Sequence, residues 1–396
     1  MRSTSLRRLG ILMLGAVAAA CDGPPFFGAR TVRDSAGIEI VVQPLHDAER
    51  WTLRGEPVLD LSAPGDSLRE FFYVWDGTFL SDGSVAVING STNQIRIFSP
   101  DGSEVRQFGR EGDGPGEFRL AYTIFAIAGD RLIVADPRHP RVSIFDRNGR
   151  LTEDATLPRV RMPVAVGWLG DDRVLLSHQA VEPEPGKVVQ QSVQYTAFSW
   201  SSGALDSLAR IPSGTIELIG GFEPWGVVGG ALFEAEAHAA AISGFAVLAD
   251  GGEPDLRFTD AHGKLERILR WPATGRRVTQ ADLAAYRATT LAEMPSDEYR
   301  MLMTKQLDAR RVAERFPVMG DVLSDRDGRV WVQRYVEPRD TLQTWHVFDL
   351  TSGDVAVIGL PLGMRLLDAT GRRLLVVERD ELDVEHPLVY EVLTPR

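Results

Sequence analysis

Two stretches of this 396-residue sequence align without a gap at an offset of 47 residues. Val85 and Val87 fall on Leu132 and Val134, and Asn89 falls on Asp136. Ile95, Ile97 and Phe98 fall on Val142, Ile144 and Phe145, and Gly102 falls on Gly149. A self-match of this period marks a unit that cannot bury its apolar face alone and must stack on copies of itself. Each unit reads as an alternating strand, a polar turn, a second alternating strand and an X-Gly hairpin. That hairpin recurs at Asp101-Gly102, Asn148-Gly149, Ser202-Gly203, His262-Gly263 and Ser352-Gly353. A strand follows each, and four of these end in an apolar residue and proline: Leu157-Pro158, Ile211-Pro212, Trp271-Pro272 and Leu360-Pro361. Proline ends pairing there because it has no N–H to donate.

The pattern predicts five four-stranded antiparallel units. A sixth begins near Leu362, with strands at Leu374–Val377 and Val389–Leu393, and the sequence ends one strand short. Pro57–Leu61 (PVLDL) is an otherwise unpaired strand candidate. Placing it in the vacant position leaves no free sheet edge. The expected fold is therefore all-β, a six-bladed β-propeller over 36–396 closed by an N-terminal strand. A small α-helical insertion at about 278–316 precedes blade five. Thr279 with Asp282 resembles a capping box, and Ser296 is a good N-cap, which predicts helices over Thr279–Met294 and Ser296–Phe316. Leu283, Tyr286, Leu291 and Met294 share one helical face; Tyr299, Leu302, Met303 and Leu307 share another. Packing on the sheet rim is the expected role of these faces, and a Met-rich partner surface is the alternative.

The N-terminus reads as an address. Arg2, Arg7 and Arg8 precede Leu9–Ala20, an apolar run too short to span a bilayer. The single cysteine, Cys21, follows Ala18-Ala19-Ala20, and this stretch resembles the bacterial lipobox, with alanine in place of the usual leucine at Ala18. The resemblance implies a signal peptide over 1–20, diacylation of Cys21 and a tether over 21–35. An ordinary signal peptide cut after Ala20 is the alternative, and Arg7-Arg8 is a poor match to a twin-arginine signal. One cysteine excludes a disulfide scaffold and a thiolate zinc site. The net charge of −12, with no basic stripe, argues against nucleic-acid binding.

Further residues carry a family resemblance. DGSVAVINGSTNQIRIFSPDGSEVRQFGREGDGPGEF looks like an NHL repeat. The opening TVRDSAGIEIVV and the closing VERDELDVEHPLVYEVL resemble bacterial six-bladed β-propeller lipoproteins. The resemblance spans about residues 31–396 and is strongest in blades one, two and six. It implies a fold and export to the cell envelope, and little chemistry.

No HExxH, HxH, Cys-His set or GxSxG elbow is present. Gly112-Asp113-Gly114-Pro115-Gly116 lacks the lysine of a phosphate loop and reads as a blade link. Asp380-Glu381-Asp383 reads as a solvated acidic loop. On a strand Glu234, Glu236 and His238 would share one face, a candidate cation site; the alternative, and the expected reading, is a solvated strand face or loop. The ends of the second strands form the ring expected at the channel mouth: Asn89, Asp136, His178, Asp250, Arg334 and Arg379. These are the candidate ligand-binding residues, and no catalytic residue or cofactor is expected. The expected function is a non-enzymatic, lipid-anchored envelope module that binds a small polar ligand or a protein. The alternative is a calcium-dependent, lactonase-like propeller hydrolase or lyase using Asn89, Asp136 and Asp250.

Overall fold

The computed structural model describes residues 29–395, except 64, 158–159, 161–162, 182–186, 220–226 and 243. Cys21 and the signal-like segment lie outside the described residues. No helix among those described is long and apolar enough to cross a membrane.

The repeat unit is a four-stranded antiparallel meander. Val74–Phe79, Val85–Asn89, Gln94–Phe98 and Val105–Phe108 form the 74–108 sheet. Forty-seven residues on, Arg131–Asp136 and Arg141–Phe145 form the middle of the 123–156 sheet, between Thr123–Ile127 and Leu151–Thr156. The 164–219 sheet follows, extended at its edge by Val227–Gly229. Next come the 237–270 and 319–361 meanders, and then Arg365–Thr370, Arg373–Arg379 and Glu385–Leu393. The hairpin glycines Gly102, Gly149, Gly203, Gly263 and Gly353 all have φ between 70° and 85°, the region that only glycine enters without strain.

Each sheet is buried on both faces. Ala86 and Ile88 pack with Ile124, Leu132 and Val134 of the following sheet. Their neighbours Val85 and Val87 point the other way, onto Leu375, Val377 and Val389 of the 365–393 sheet. Strand Val85–Asn89 is therefore buried at every position, whereas the outer strand Leu151–Thr156 is mostly exposed. The innermost strands converge, and small residues permit it. A Cβ added at Gly167 would lie 2.8 Å from that of Ala241.

The 365–393 sheet has three strands of its own, and earlier chain completes it. Leu59–Asp60 pairs antiparallel with Leu388 and Val389. Val58 N and Leu61 N extend this pairing by donating to Val389 O and Pro387 O. Two other N-terminal pairings had no sequence signal. Ile38–Val42 lies parallel to Leu265–Arg270 and carries Thr31–Ser35, a stretch assigned to the tether by sequence, as its hairpin partner. Glu49–Leu53 lies between the last two sheets, parallel to Ala356–Ile358 and antiparallel to Val392–Leu393.

Helices α1 (Gln280–Ala292) and α2 (Asp297–Ala309) form the insertion. The sequence pattern carries the second helix to Phe316, but it stops at Ala309. Arg311 and Ala313 instead bond Leu232 through Arg311 O and Ala313 N, an extended pairing that removes them from the helix. Leu283, Tyr286, Met303 and Leu307 pack with Leu232, Phe233 and Phe316, while Tyr299 stays exposed.

The capping box at Thr279 is real, and its acid does more than cap. Buried Asp282 accepts from Thr279 N, from both terminal nitrogens of Arg276 (2.7 and 2.8 Å) and from Arg339 Nε (3.1 Å). Arg276 also reaches Glu337, so the network ties α1 to the loop after Arg329–Arg334. Arg276 holds the Asp282 carboxyl far below its ordinary range. A depressed carboxyl stabilises the fold above its unfolded pKa of 3.8 and loses that contribution as pH falls below it. Asp282→Asn should therefore lower the free energy of urea unfolding at neutral pH by about 2 kcal/mol, and the gap to the parent should narrow as the solution is acidified.

Candidate functional site

The ring expected from sequence sits where the repeat places it, at or next to the ends of second strands. Its members are taken up by their own loops. Asn89 Oδ1 accepts from Phe72 N, and its Nδ2 donates to Glu70 O. Fully buried Asp136 accepts from the backbone N–H of Arg119, Leu120, Arg138 and His139. Asp250 accepts from Gly252 N. Arg334 pairs with Asp340 and Arg379 with Glu385. His178 lies in the strand pairing opposite Gln194, and burial lowers its imidazole pKa. None of the six lines either of the two cavities described below.

The central cavity belongs to the innermost strands. It encloses about 300 Å³, and every sheet contributes to its wall, through Asp76, Thr123, Trp168, Ala240, Ser324 and Asp368 among others. Its acids are held by backbone. Asp76 accepts from Gly77 N (2.8 Å) beside it and from Ile124 N (2.9 Å) of the next inner strand. Asp368 accepts from Ala369 N (2.7 Å) and reaches the 74–108 sheet at Phe79 N and Thr78 Oγ1 (both 2.8 Å). Both acids sit at register shifts in their strands, which turn a side chain toward the neighbouring sheet. The sequence did carry a signal: an acid inside VWDGTF or RLLDAT is expensive in an apolar strand and needs partners.

The second cavity, about 310 Å³, lies where the helical insertion meets the starts of two inner strands. Glu234, Glu236 and His238 all line it, with Tyr286 from α1, Arg310 and Tyr335, but they do not share a strand face: the strand begins at Ala237, and Glu234 and Glu236 stand on the loop before it. Glu234 is fixed by Thr215, which donates through N (2.7 Å) and Oγ1 (2.6 Å). Phe233 just before it has φ of 64°, costly for an aromatic residue, and its ring packs on Tyr286 and Phe316. Exposed Glu236 keeps its carboxylate in the solvent-open pocket. Burial pushes the His238 imidazole down to about 4 against the opposing pull of Asp250, so it is neutral at pH 7. Burial pushes the Tyr335 phenol up to about 12, with Tyr286, Glu236 and Glu337 adding to the shift. The site thus offers carboxylates, a neutral imidazole and two phenols. Among the described residues, no group of three or more His, Cys, Asp or Glu could hold a metal ion.

No family model and no curated protein matches the chain. Among solved structures it is similar to a Bacteroides fragilis protein described as exported, at 10% identity and a TM-score of 0.50, covering 90% of this chain and 100% of that one. It is also similar to a Bacteroides vulgatus protein of the duf4221 family, at 12% identity and a TM-score of 0.50, covering 88% and 100%. A streptogramin B lyase matches at 9% identity and a TM-score of 0.41, covering 87% and 98%, too distant to bear on chemistry. The likeness shows the fold, a β-propeller.

The central acids set a pH dependence. Burial pushes Asp76 up to about 7 and Asp368 up to about 6, against their backbone donors. A raised carboxyl holds its proton in the folded state over a range where the unfolded chain has released it, so stability falls as pH rises from the unfolded value of 3.8 through these values. Unfolding free energy should drop on the order of 7 kcal/mol between about pH 4 and pH 8 from these groups. Urea titrations at several pH values should show this slope, and Asp76→Asn should flatten it.

Proposed function

We propose that this chain is an exported, lipid-anchored six-bladed β-propeller that acts as a non-enzymatic binding module. Its ligand is small, polar and amine-bearing, and it is held in the pocket beneath the helical insertion. Six blades are supported by the order of the inner strands: each lies against the next, and Arg365–Thr370 lies against Val74–Phe79. Closure by the N-terminus is supported by Leu59–Asp60 in the vacant position of the last sheet. Export and anchoring rest on the basic and apolar N-terminal segment and on Cys21. A likeness to an exported protein agrees with this.

The observation that carries the ligand class is the pocket lining. Glu234 and Glu236 supply negative charge that outnumbers the one cation among the described lining residues, Arg310, which donates to Gly230 O, and Tyr286 and Tyr335 supply aromatic faces to a cation. Neutral His238 adds no opposing charge at pH 7. The −12 net charge draws cations toward the surface.

Calorimetric titration of the full chain with putrescine, spermidine and lysine tests this. At least one should bind saturably at pH 7, and Glu236→Gln should weaken it about tenfold. Acidification through about pH 4 should abolish binding as His238 becomes charged. Equal binding by Glu236→Gln, or none by the parent, defeats the reading. Tight Ca²⁺ binding lost in the same variant would make the pocket a metal site instead. Separately, Cys21→Ser should move the chain from the membrane fraction to the soluble fraction.

A further inference from the structure

Opposite the amine pocket, the same mouth of the propeller carries a second feature that shares no residue with it. Three aromatic side chains stand in solvent at the entry to the first inner strand. Phe72 is 51% exposed, Tyr73 67% and Trp75 38%. Tyr73 and Trp75 are stacked within 20° of parallel, centroids 6.5 Å apart, and Tyr122 lies 5.4 Å from Trp75 at a tilt. Large apolar rings in water disfavour a fold unless something else requires them there.

The loop presenting them is built and strained. Tyr73 has φ of 57°, a conformation that disfavours an aromatic residue. Buried polar side chains enforce it from below. Asn89 takes Phe72 N, Glu385 takes Val74 N, and Arg96 donates to Ser67 O and Glu70 O. Arg365 donates to Val74 O and Trp75 O. The indole edge of Trp75 rests on Gly90, where a Cβ would lie 2.2 Å from Nε1. Only glycine leaves room for the ring in this position. A collapsed hydrophobic patch would not need strain, a glycine seat and several buried polar anchors to keep its rings outside.

The local charges identify the ligand class. The charged groups that hold the loop are already matched: Glu385 pairs with Arg379 (2.9 Å) and accepts from Val74 N, and Arg365 donates to Val74 O and Trp75 O, so the site favours neither an anion nor a cation. What remains is a neutral ligand with a flat apolar face and a rim that hydrogen-bonds. A pyranose ring has this form: its C–H face stacks on aromatic rings and its hydroxyls reach carboxylate and guanidinium groups. We propose that Tyr73, Trp75 and Tyr122 form a platform for a neutral saccharide chain.

Affinity electrophoresis of the full chain tests this, in a detergent without a sugar headgroup, through gels containing dextran, laminarin, hydroxyethylcellulose or soluble starch. At least one polysaccharide should retard the protein. Tyr73→Gly removes a ring while relieving the strained backbone, so it should keep or raise the melting temperature and abolish retardation. Gly90→Ala would meet both Trp75 Nε1 (2.2 Å) and Tyr73 O (2.4 Å), so it should displace both aromatic residues and weaken retardation about tenfold. Glu236→Gln should leave retardation unchanged, which separates this site from the amine pocket. No retardation by any of the four polysaccharides, or equal retardation of Tyr73→Gly, overturns the proposal. So does retention on a proline-rich peptide matrix in place of a saccharide, since proline also stacks on aromatic rings.

Discussion

The structure depends on every sheet being covered by apolar side chains on both faces. Successive residues of one strand, Val85 and Ala86, serve different neighbours, the 365–393 sheet on one side and the 123–156 sheet on the other. A lone meander would expose both of these faces to water. The stack is stable only when each sheet has two neighbours, so the first and last sheets need each other as much as adjacent ones do. The same demand fixes where variation is tolerated: outer strands such as Leu151–Thr156 are mostly in water, and the insertion and extra strands attach at rims.

The stacking also explains which parts of the fold were legible in the sequence. The 47-residue offset was readable because buried second and third strands keep their apolar positions, as at Val85 and Leu132 or Phe98 and Phe145. Pro57–Leu61 was found because a short final sheet left a vacancy, and the helix start because capping chemistry is local to Thr279 and Asp282. Glu49–Leu53 and Ile38–Val42 were missed as pairings. Their partners lie hundreds of residues away, and parallel edge pairing leaves no local mark. The end of α2 was missed because tertiary pairing at Leu232 overrides helical periodicity.

The candidate site was legible in part. Glu234, Glu236 and His238 line one pocket, but not through period-two spacing, since only His238 lies on a strand. The six second-strand residues stand at or next to strand ends, but alignment cannot tell whether a polar side chain faces an opening or its own loop. Asn89 and Asp136 show the difference: each is saturated by backbone groups. Asn89 nevertheless shapes the mouth indirectly, since the loop it holds carries Phe72 and Tyr73. The mouth thus combines rigid support on two flanks, aromatic on one and acidic on the other.

The long reach of the N-terminal pairings has a temporal consequence. Arg54 and Glu391 bond across 337 positions of chain. During synthesis the segment around Glu49–Asp60 precedes its partner strand, Glu385–Leu393, by more than 300 residues and must wait for it. Contacts of such separation make folding slow, because a long loop must close before they form. Until the two meet, each is an unpaired strand edge open to wrong partners.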